Sequence, residues 1–304
     1  MRALVTGATG FLGSHLVRRL LDEGGAVAAI VRPQSRTSRI DDLLARLTVI
    51  PGDVRALELC ERAVEQFAPE TVFHLAWSGV AGQDRNDPRQ IDDNLLPTIE
   101  LVRLAARCGA TTWIGLGSQA EYGPHAGPIT EDTPTRPTTL YGKVKLAAGL
   151  LSMHVAEQLG LRAAWVRVFS TFGPGDNPNW LLPYVIRTLS RRERPALTAG
   201  EQRWDFLYVE DAADAVVRLA AATDAAGVVN LGSGVARPLR TVVEQIRDMI
   251  DPSLPLGFGE VPYRPDQVMH LEADIGRLTA GTGWRPATPW DEALRRTVEY
   301  FRER

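Results

Sequence analysis

The chain has 304 residues and a formal net charge of −3. That length suffices for one large domain or two modest ones, and the near-neutral balance predicts no nucleic-acid or membrane surface. No apolar stretch reaches ~18 residues, the two cysteines and five scattered histidines show no ligand or disulfide spacing, and Met1 leads directly into a strand; the expectation is a reduced cytoplasmic protein without metal, signal peptide or membrane span.

In chain order, Arg2–Thr6 reads as a short apolar strand, followed by Gly7-Ala8-Thr9-Gly10-Phe11-Leu12-Gly13. Ser14–Glu23 is a helix with apolar Leu16, Val17, Leu20 and Leu21, closed by Gly24-Gly25. Ala26–Val31, Leu47–Ile50, Thr71–Leu75, Thr112–Leu116 and Ala163–Phe169 are further strands, with helices near Leu57–Phe67, Asp92–Cys108 and around Tyr141. Short apolar strands alternating with helices predict a parallel sheet covered on both faces. Beyond the turn-rich loop Gly173–Asn179 come a helix near Leu181–Arg191, a strand Phe206–Val209, a helix Asp211–Ala222 and a strand Val228–Leu231. Helices at Thr241–Ile250 and Trp290–Arg302 follow. The expectation is an α/β fold, a Rossmann-type doubly wound parallel sheet (1–172 with about 204–232) beside a smaller mixed substrate lobe (about 173–203 with 233–304).

Gly7, Gly10 and Gly13 stand between a strand and a helix, where glycine lets the backbone turn tightly and approach a pyrophosphate. The helix N-terminus behind them offers free N–H groups and a positive dipole end. The second strand ends Val31-Arg32-Pro33, with Ser35, Arg36 and Arg39 beyond it and no acid before Asp41. An acid there suits a ribose 2′-OH and an arginine a 2′-phosphate, so NADP(H) is favoured over NAD(H). Tyr141 and Lys145 lie one turn apart on one helix face. A phenol ionises near pH ~10, and a nearby ammonium favours the phenolate, so the pair is a candidate proton donor and acceptor. Spacing alone is equally met by chance on a half-exposed helix.

With Gly52-Asp53-Val54, His74-Leu75-Ala76-Trp77, Asn94, Gly117–Gly123, Gly173-Pro174-Gly175, Asp205–Val209 and Tyr263-Arg264-Pro265, nearly the whole chain resembles the extended short-chain dehydrogenase/reductase family, in the branch acting on nucleotide-linked sugars. The resemblance implies that Asp53 and Val54 touch the adenine and that Leu75, Ala76 and Trp77 line the dinucleotide beyond the switch point. Gly7, Thr9, Gly10, Phe11, Leu12, Arg32, Arg36, Asn94 and Val168 complete the implied cofactor set. Tyr141 would be the acid/base, Lys145 would hold the nicotinamide ribose and lower the phenol pKa, and Ser118 would bond the reacting sugar oxygen. Ser78, Gln119, Asn179, Leu182, Trp204 and Arg264 would meet a nucleotide diphosphate sugar. Ser118 could equally be a strand-end turn residue, Asn94 a buried amide satisfying backbone, and Trp204 a packing residue at the lobe interface.

Departures narrow the expected reaction. Gln119 and Ala120 stand where similar dehydratases carry an Asp-Glu pair, which disfavours dehydration, and Glu121 is expected to point elsewhere on an extended segment. Arg32 fits exchangeable NADPH better than the retained NAD of an epimerase. Ser170 and Trp204 replace the usual Asn and Arg near the diphosphate, leaving Arg264 with possible help from Arg203. The expectation is reduction of a 4-keto group on a nucleotide-linked deoxyhexose, with a sugar epimerase and a dinucleotide-sensing regulator as alternatives. Relatives of this kind dimerise through two helices, for which Leu95, Ile99, Leu101, Val102, Leu146, Leu150 and Leu151 could supply apolar faces.

Overall fold

A computed structural model describes residues 1–264 and 267–303, so Pro265 of the Tyr263-Arg264-Pro265 motif lies outside the described residues. Strands β1 (Arg2–Thr6), β2 (Ala26–Val31), β3 (Thr48–Pro51), β4 (Thr71–His74), β5 (Thr112–Ser118) and β6 (Arg162–Val168) form the sheet's first six strands. Short β7 (Thr171–Phe172), β8 (Ala196–Leu197), β9 (Arg203–Asp205) and β10 (Leu207–Tyr208) follow, then β11 (Gly227–Leu231), which completes the main sheet. Last come β12 (Ala236–Pro238), β13 (Gly257–Phe258) and β14 (His270–Leu271).

Among the described residues the main sheet has seven strands in the order β11-β6-β5-β4-β1-β2-β3, and every pairing is parallel. The chain runs outward from β1 through β2 to β3, then crosses back to β4 on the other side. That reversal between β1 and β4 is the switch point of a doubly wound sheet. Consecutive β1 residues face opposite cores: Ala3 and Val5 enter one cluster and Leu4 another, as the strand's two-residue period requires.

The helices are α1 (Phe11–Asp22), α2 (Glu61–Phe67), α3 (Leu96–Arg107), α4 (Leu140–Gln158), α5 (Leu181–Ser190), α6 (Val209–Ala221), α7 (Leu239–Ile250), α8 (Gly276–Thr282) and α9 (Trp290–Arg302). No described helix is long and apolar enough to cross a membrane. A third core joins α5, α7 and α9 through Val185, Ile186, Val242, Ile246, Leu294 and Val298.

Two expectations change. The strand read over Phe206–Val209 shortens to β10 at Leu207–Tyr208, and Val209 already begins α6, whose first turn carries Glu210 and Asp211 at the positive dipole end. The helix read from Asp92 starts as a π-helical turn over Ile91–Leu95 before α3 takes over with Pro97 in its first turn. Helix α8, not read from the sequence, packs its Leu278, with Trp284, into the sheet-side core.

Candidate active site

One cavity of about 920 Å³ runs across the carboxyl ends of the strands, from the glycine turn to the lobe. Gly7, Thr9, Gly10, Phe11 and Leu12 line one side, and Leu75, Ala76 and Trp77 line the other side of the switch point. Gly7 sits at φ +75, and a Cβ there would lie 2.7 Å from the Ala76 nitrogen, so only glycine leaves this crevice open. Gly10 caps α1 without a side chain, which leaves the helix N-terminus facing the cavity as a cradle for pyrophosphate. Asp53, Val54, Asn94 and Val168 also line it. These residues fit a dinucleotide.

The arginines beyond β2 separate. Arg32 and Ser35 line the cavity. Arg36 is exposed and off the wall. Arg39 donates from Nε to the Gly175 carbonyl at 2.7 Å and so holds the 173–179 loop. Asp53 is held by Arg55 at 2.8 Å, and the hydrogen bond from that guanidinium keeps its carboxyl below the usual range.

A buried relay fixes the wall at β4. Thr98 Oγ1 donates to the Asn94 carbonyl at 2.7 Å, so its oxygen accepts from His74 Nε2 at 3.0 Å. His74 Nδ1 then accepts from Thr6 Oγ1 at 2.8 Å, and Thr6 Oγ1 accepts from the Ala76 nitrogen at 3.3 Å. Burial, with Lys145 adding to it, pushes the His74 pKa down to about 3, so the ring is neutral with its proton on Nε2. The Asn94 amide is engaged within the protein: Oδ1 accepts from the Ser78 nitrogen at 2.7 Å and Nδ2 donates to the Gln90 carbonyl at 3.0 Å.

The candidate proton-handling groups Ser118 and Tyr141 meet at the cavity wall. Ser118 ends β5 and caps a tight turn over Gln119–Glu121. Tyr141 lies in the first turn of α4, which Thr139 caps by accepting from the Gly142 nitrogen at 3.2 Å. Both line the cavity, and the Ser118 hydroxyl faces the phenol. Burial raises the Tyr141 pKa, against the opposing Ser118 bond and the positive charge of Arg85. Lys145 does not line the cavity. Its Nζ donates to the Leu116 carbonyl at 2.6 Å and lies 3.6 Å from the centroid of the Trp77 ring. Trp77 is anchored by Nε1 donating to Gln90 Oε1 at 3.0 Å and meets Tyr141 edge-on at 6.1 Å. Burial pushes Lys145 down to about 7, with Glu121 opposing. Both features differ from the arrangement that the resemblance implied. The indole covers the ammonium expected to hold a ribose, so that contact requires Trp77 to move. The phenol pKa is raised rather than lowered, because burial outweighs the neighbouring charges.

Ser78 and Gln119 from the sheet side and Asn179, Leu182, Trp204 and Arg264 from the lobe side all line the cavity. Trp204 also packs against the lobe core. Arg203 turns away, donating from Nη2 to the Ala236 carbonyl at 2.8 Å. Arg85 and Asp176 line the cavity without having been foreseen: Arg85 comes from an unpatterned loop, and Asp176 from the turn-rich Gly173–Asn179 segment. Burial pushes Asp176 up to about 7 against the opposing Asn177 backbone N–H and Arg39. Glu121 is turned inward, because its segment is a tight turn rather than extended. No cluster of three His, Cys, Asp or Glu able to hold a metal occurs among the described residues.

The comparisons agree with this layout. Residues 3–232 match the NAD dependent epimerase/dehydratase family. A UDP-glucose 4-epimerase of Corynebacterium glutamicum is 29% identical over 98% of this chain and 94% of its own length. The crystal structure of a Thermotoga maritima UDP-glucose 4-epimerase with UDP-glucose superposes with a TM-score of 0.91 at 25% identity, covering 100% of this chain and 99% of that one. A Thermus thermophilus UDP-glucose 4-epimerase in complex with NAD gives 0.87 at 25% identity over 99% of both chains. The match spans the glycine turn, the switch-point wall and the Ser118–Tyr141 pair, and the chain is an enzyme belonging to the NAD dependent epimerase/dehydratase family of extended short-chain dehydrogenases/reductases.

Proposed function

We propose that this enzyme is an NAD-dependent nucleotide-sugar 4-epimerase. The carrying observation is that Ser118 and Tyr141 open into one cavity continuous with both the glycine turn and the lobe wall, in a fold that superposes end to end on a UDP-glucose 4-epimerase. When bound, the dinucleotide accepts and returns the hydride. Gly7, Thr9, Gly10, Leu75 and Ala76 would hold it, with Asp53 and Val54 toward the adenine. Tyr141 would act as its phenolate, taking the proton of the sugar hydroxyl during oxidation and giving it back during reduction. Ser118 bonds the same oxygen and stabilises the charge that develops there. Arg264, Asn179 and Trp204 would bind the nucleotide diphosphate, within the two-part division expected from the sequence.

Incubation with UDP-glucose and no added reductant tests this. Conversion to the 4-epimer without net change in dinucleotide redox state is the expected result; no conversion, with stoichiometric NADPH oxidation on a 4-keto sugar, overturns it. That outcome is the second reading, 4-keto reduction, which one observation favours: Arg32 and Ser35 line the ribose end of the cavity beside an Asp53 already tied to Arg55, which suits a 2′-phosphate.

We also propose that a second copy packs on α3 and α4. Ile99, Leu101 and Val102 are buried against their own sheet, but Leu96, Leu150 and Leu151 are exposed. A sedimentation experiment giving only monomer rejects this.

A further inference from the structure

Glu121 lies beneath Ser118 and takes no part in the chemistry above. It is fully buried. Its Oε2 accepts from Arg167 Nε at 2.7 Å, and its Oε1 accepts from Trp165 Nε1 at 3.0 Å and from the Ser118 nitrogen at 2.8 Å. Ser118 Oγ in return accepts from the Ala120 nitrogen at 3.2 Å, so Ser118 and Glu121 hold each other across a single turn. Three donors, the Arg167 guanidinium among them, thus converge on this carboxyl group.

The surrounding backbone is shaped for the arrangement. A Cβ at Gly149 would lie 2.7 Å from Trp165 Nε1, and one at Gly117 would collide with both Trp165 and Glu121. Glycines on β5 and α4 thus make room for side chains of β6 and the turn. A buried ion pair is expensive to desolvate and is by itself weak evidence of stabilisation. What sets this one apart is where it points.

Lys145 is faced by Glu121 from the turn and by His74 from β4. Tyr141 is faced by Ser118 and Glu121, and by Arg85 from the loop after β4. Glu121 itself is faced by Arg167 from β6, whose guanidinium also stacks 4.4 Å from the Tyr122 ring centroid. Of the groups facing the proton-handling pair, Glu121 carries the negative charge.

We propose that Glu121 is a positioning residue, holding Ser118 at the reacting oxygen and placing a fixed negative charge beside Lys145 and Tyr141. The proposal rests on the reading of Ser118 and Tyr141 as the groups at that oxygen. A negative charge favours the protonated form of both neighbours, and Glu121 acts in that direction on each. Glu121→Gln keeps an acceptor for the Ser118 nitrogen and removes the charge.

Lys143 and Lys145 are the only lysines in the chain, and Lys143 is exposed. Lysine labelled with carbon-13 at Cε therefore gives two NMR titrations that are read separately. In cofactor-free protein, Glu121→Gln lowers the Lys145 midpoint by about one pH unit, a tenfold change in its protonation equilibrium, and leaves Lys143 where it was. Turnover falls ~10-fold with KM for the nucleotide sugar changed less than ~2-fold. Where the unpaired Arg167 prevents folding, the double variant E121Q/R167M removes both charges and is read instead. An unmoved Lys145 midpoint, or undiminished turnover, in a folded variant overturns the proposal. If the parent enzyme turns over no nucleotide sugar, the functional reading has failed, and the titration alone decides on Glu121.

Discussion

The two walls of the cavity are built on different principles. On the sheet side, strands of four to seven residues run in parallel register, and buried polar groups such as Thr6, His74, Thr98, Ser118, Glu121 and Arg167 are each held by named bonds. On the lobe side, strands run two or three residues. Its core is an apolar contact of α5, α7 and α9, capped by a cluster of Phe172, Phe206, Tyr208 and Trp290. Proton handling needs groups fixed to within a fraction of an ångström, which over-determined strand ends supply. Holding a large, flexible substrate needs shape, which an apolar helical layer supplies.

Substitutions on opposite walls therefore have different signatures. Tyr141→Phe should lower turnover by ~10²–10⁴-fold with dinucleotide affinity unchanged; full activity would remove Tyr141 from the mechanism. Ile246→Ala, deep in the lobe core, should cost ~2–5 kcal/mol in denaturant unfolding while turnover of the folded fraction stays within ~2-fold. A large loss of turnover there would mean that the lobe core also sets the reacting geometry. Gly7→Ala places a Cβ at positive φ against the Ala76 nitrogen and should cost ~1–3 kcal/mol. Calorimetric titration should also show weaker dinucleotide binding; parent-like affinity would show that the crevice is wider than drawn.

The smallest effect per step is pH linkage at Lys145. Its folded pKa is about 7 against an ordinary value of 10.5. Between those values the unfolded chain holds a proton that the folded chain lacks, so stability rises with pH across that window. Lys145→Met should flatten that rise, by no more than ~1.4 kcal/mol per pH unit. Parallel stability curves for the two proteins between pH 7.5 and 9.5 would show Lys145 to be protonated and paired instead.

Much of this was legible from local sequence. β1, the glycine turn and α1 are contiguous, so the strand, the crevice and the helix N-terminus follow from neighbouring residues alone. Ser118, Tyr141 and the lobe residues Asn179, Leu182, Trp204 and Arg264 were named from motifs, and all line one cavity. Three of the departures are of one kind. Arg39 is drawn to the Gly175 carbonyl, Trp77 covers Lys145, and Arg203 turns to Ala236. Each depends on a partner far away in the chain.

The sequence by itself determined the alternation of strands and helices and the glycine crevice, because these are set by periodicity and by φ, and its motifs named the candidate proton-handling groups. Only the tertiary structure decided which charges those groups feel. Glu121 became a buried anion because β5, α4 and β6 close around it with glycines where they approach. Lys145 and Tyr141 were shifted because burial, which no single segment encodes, removes the water that would otherwise solvate their charged forms.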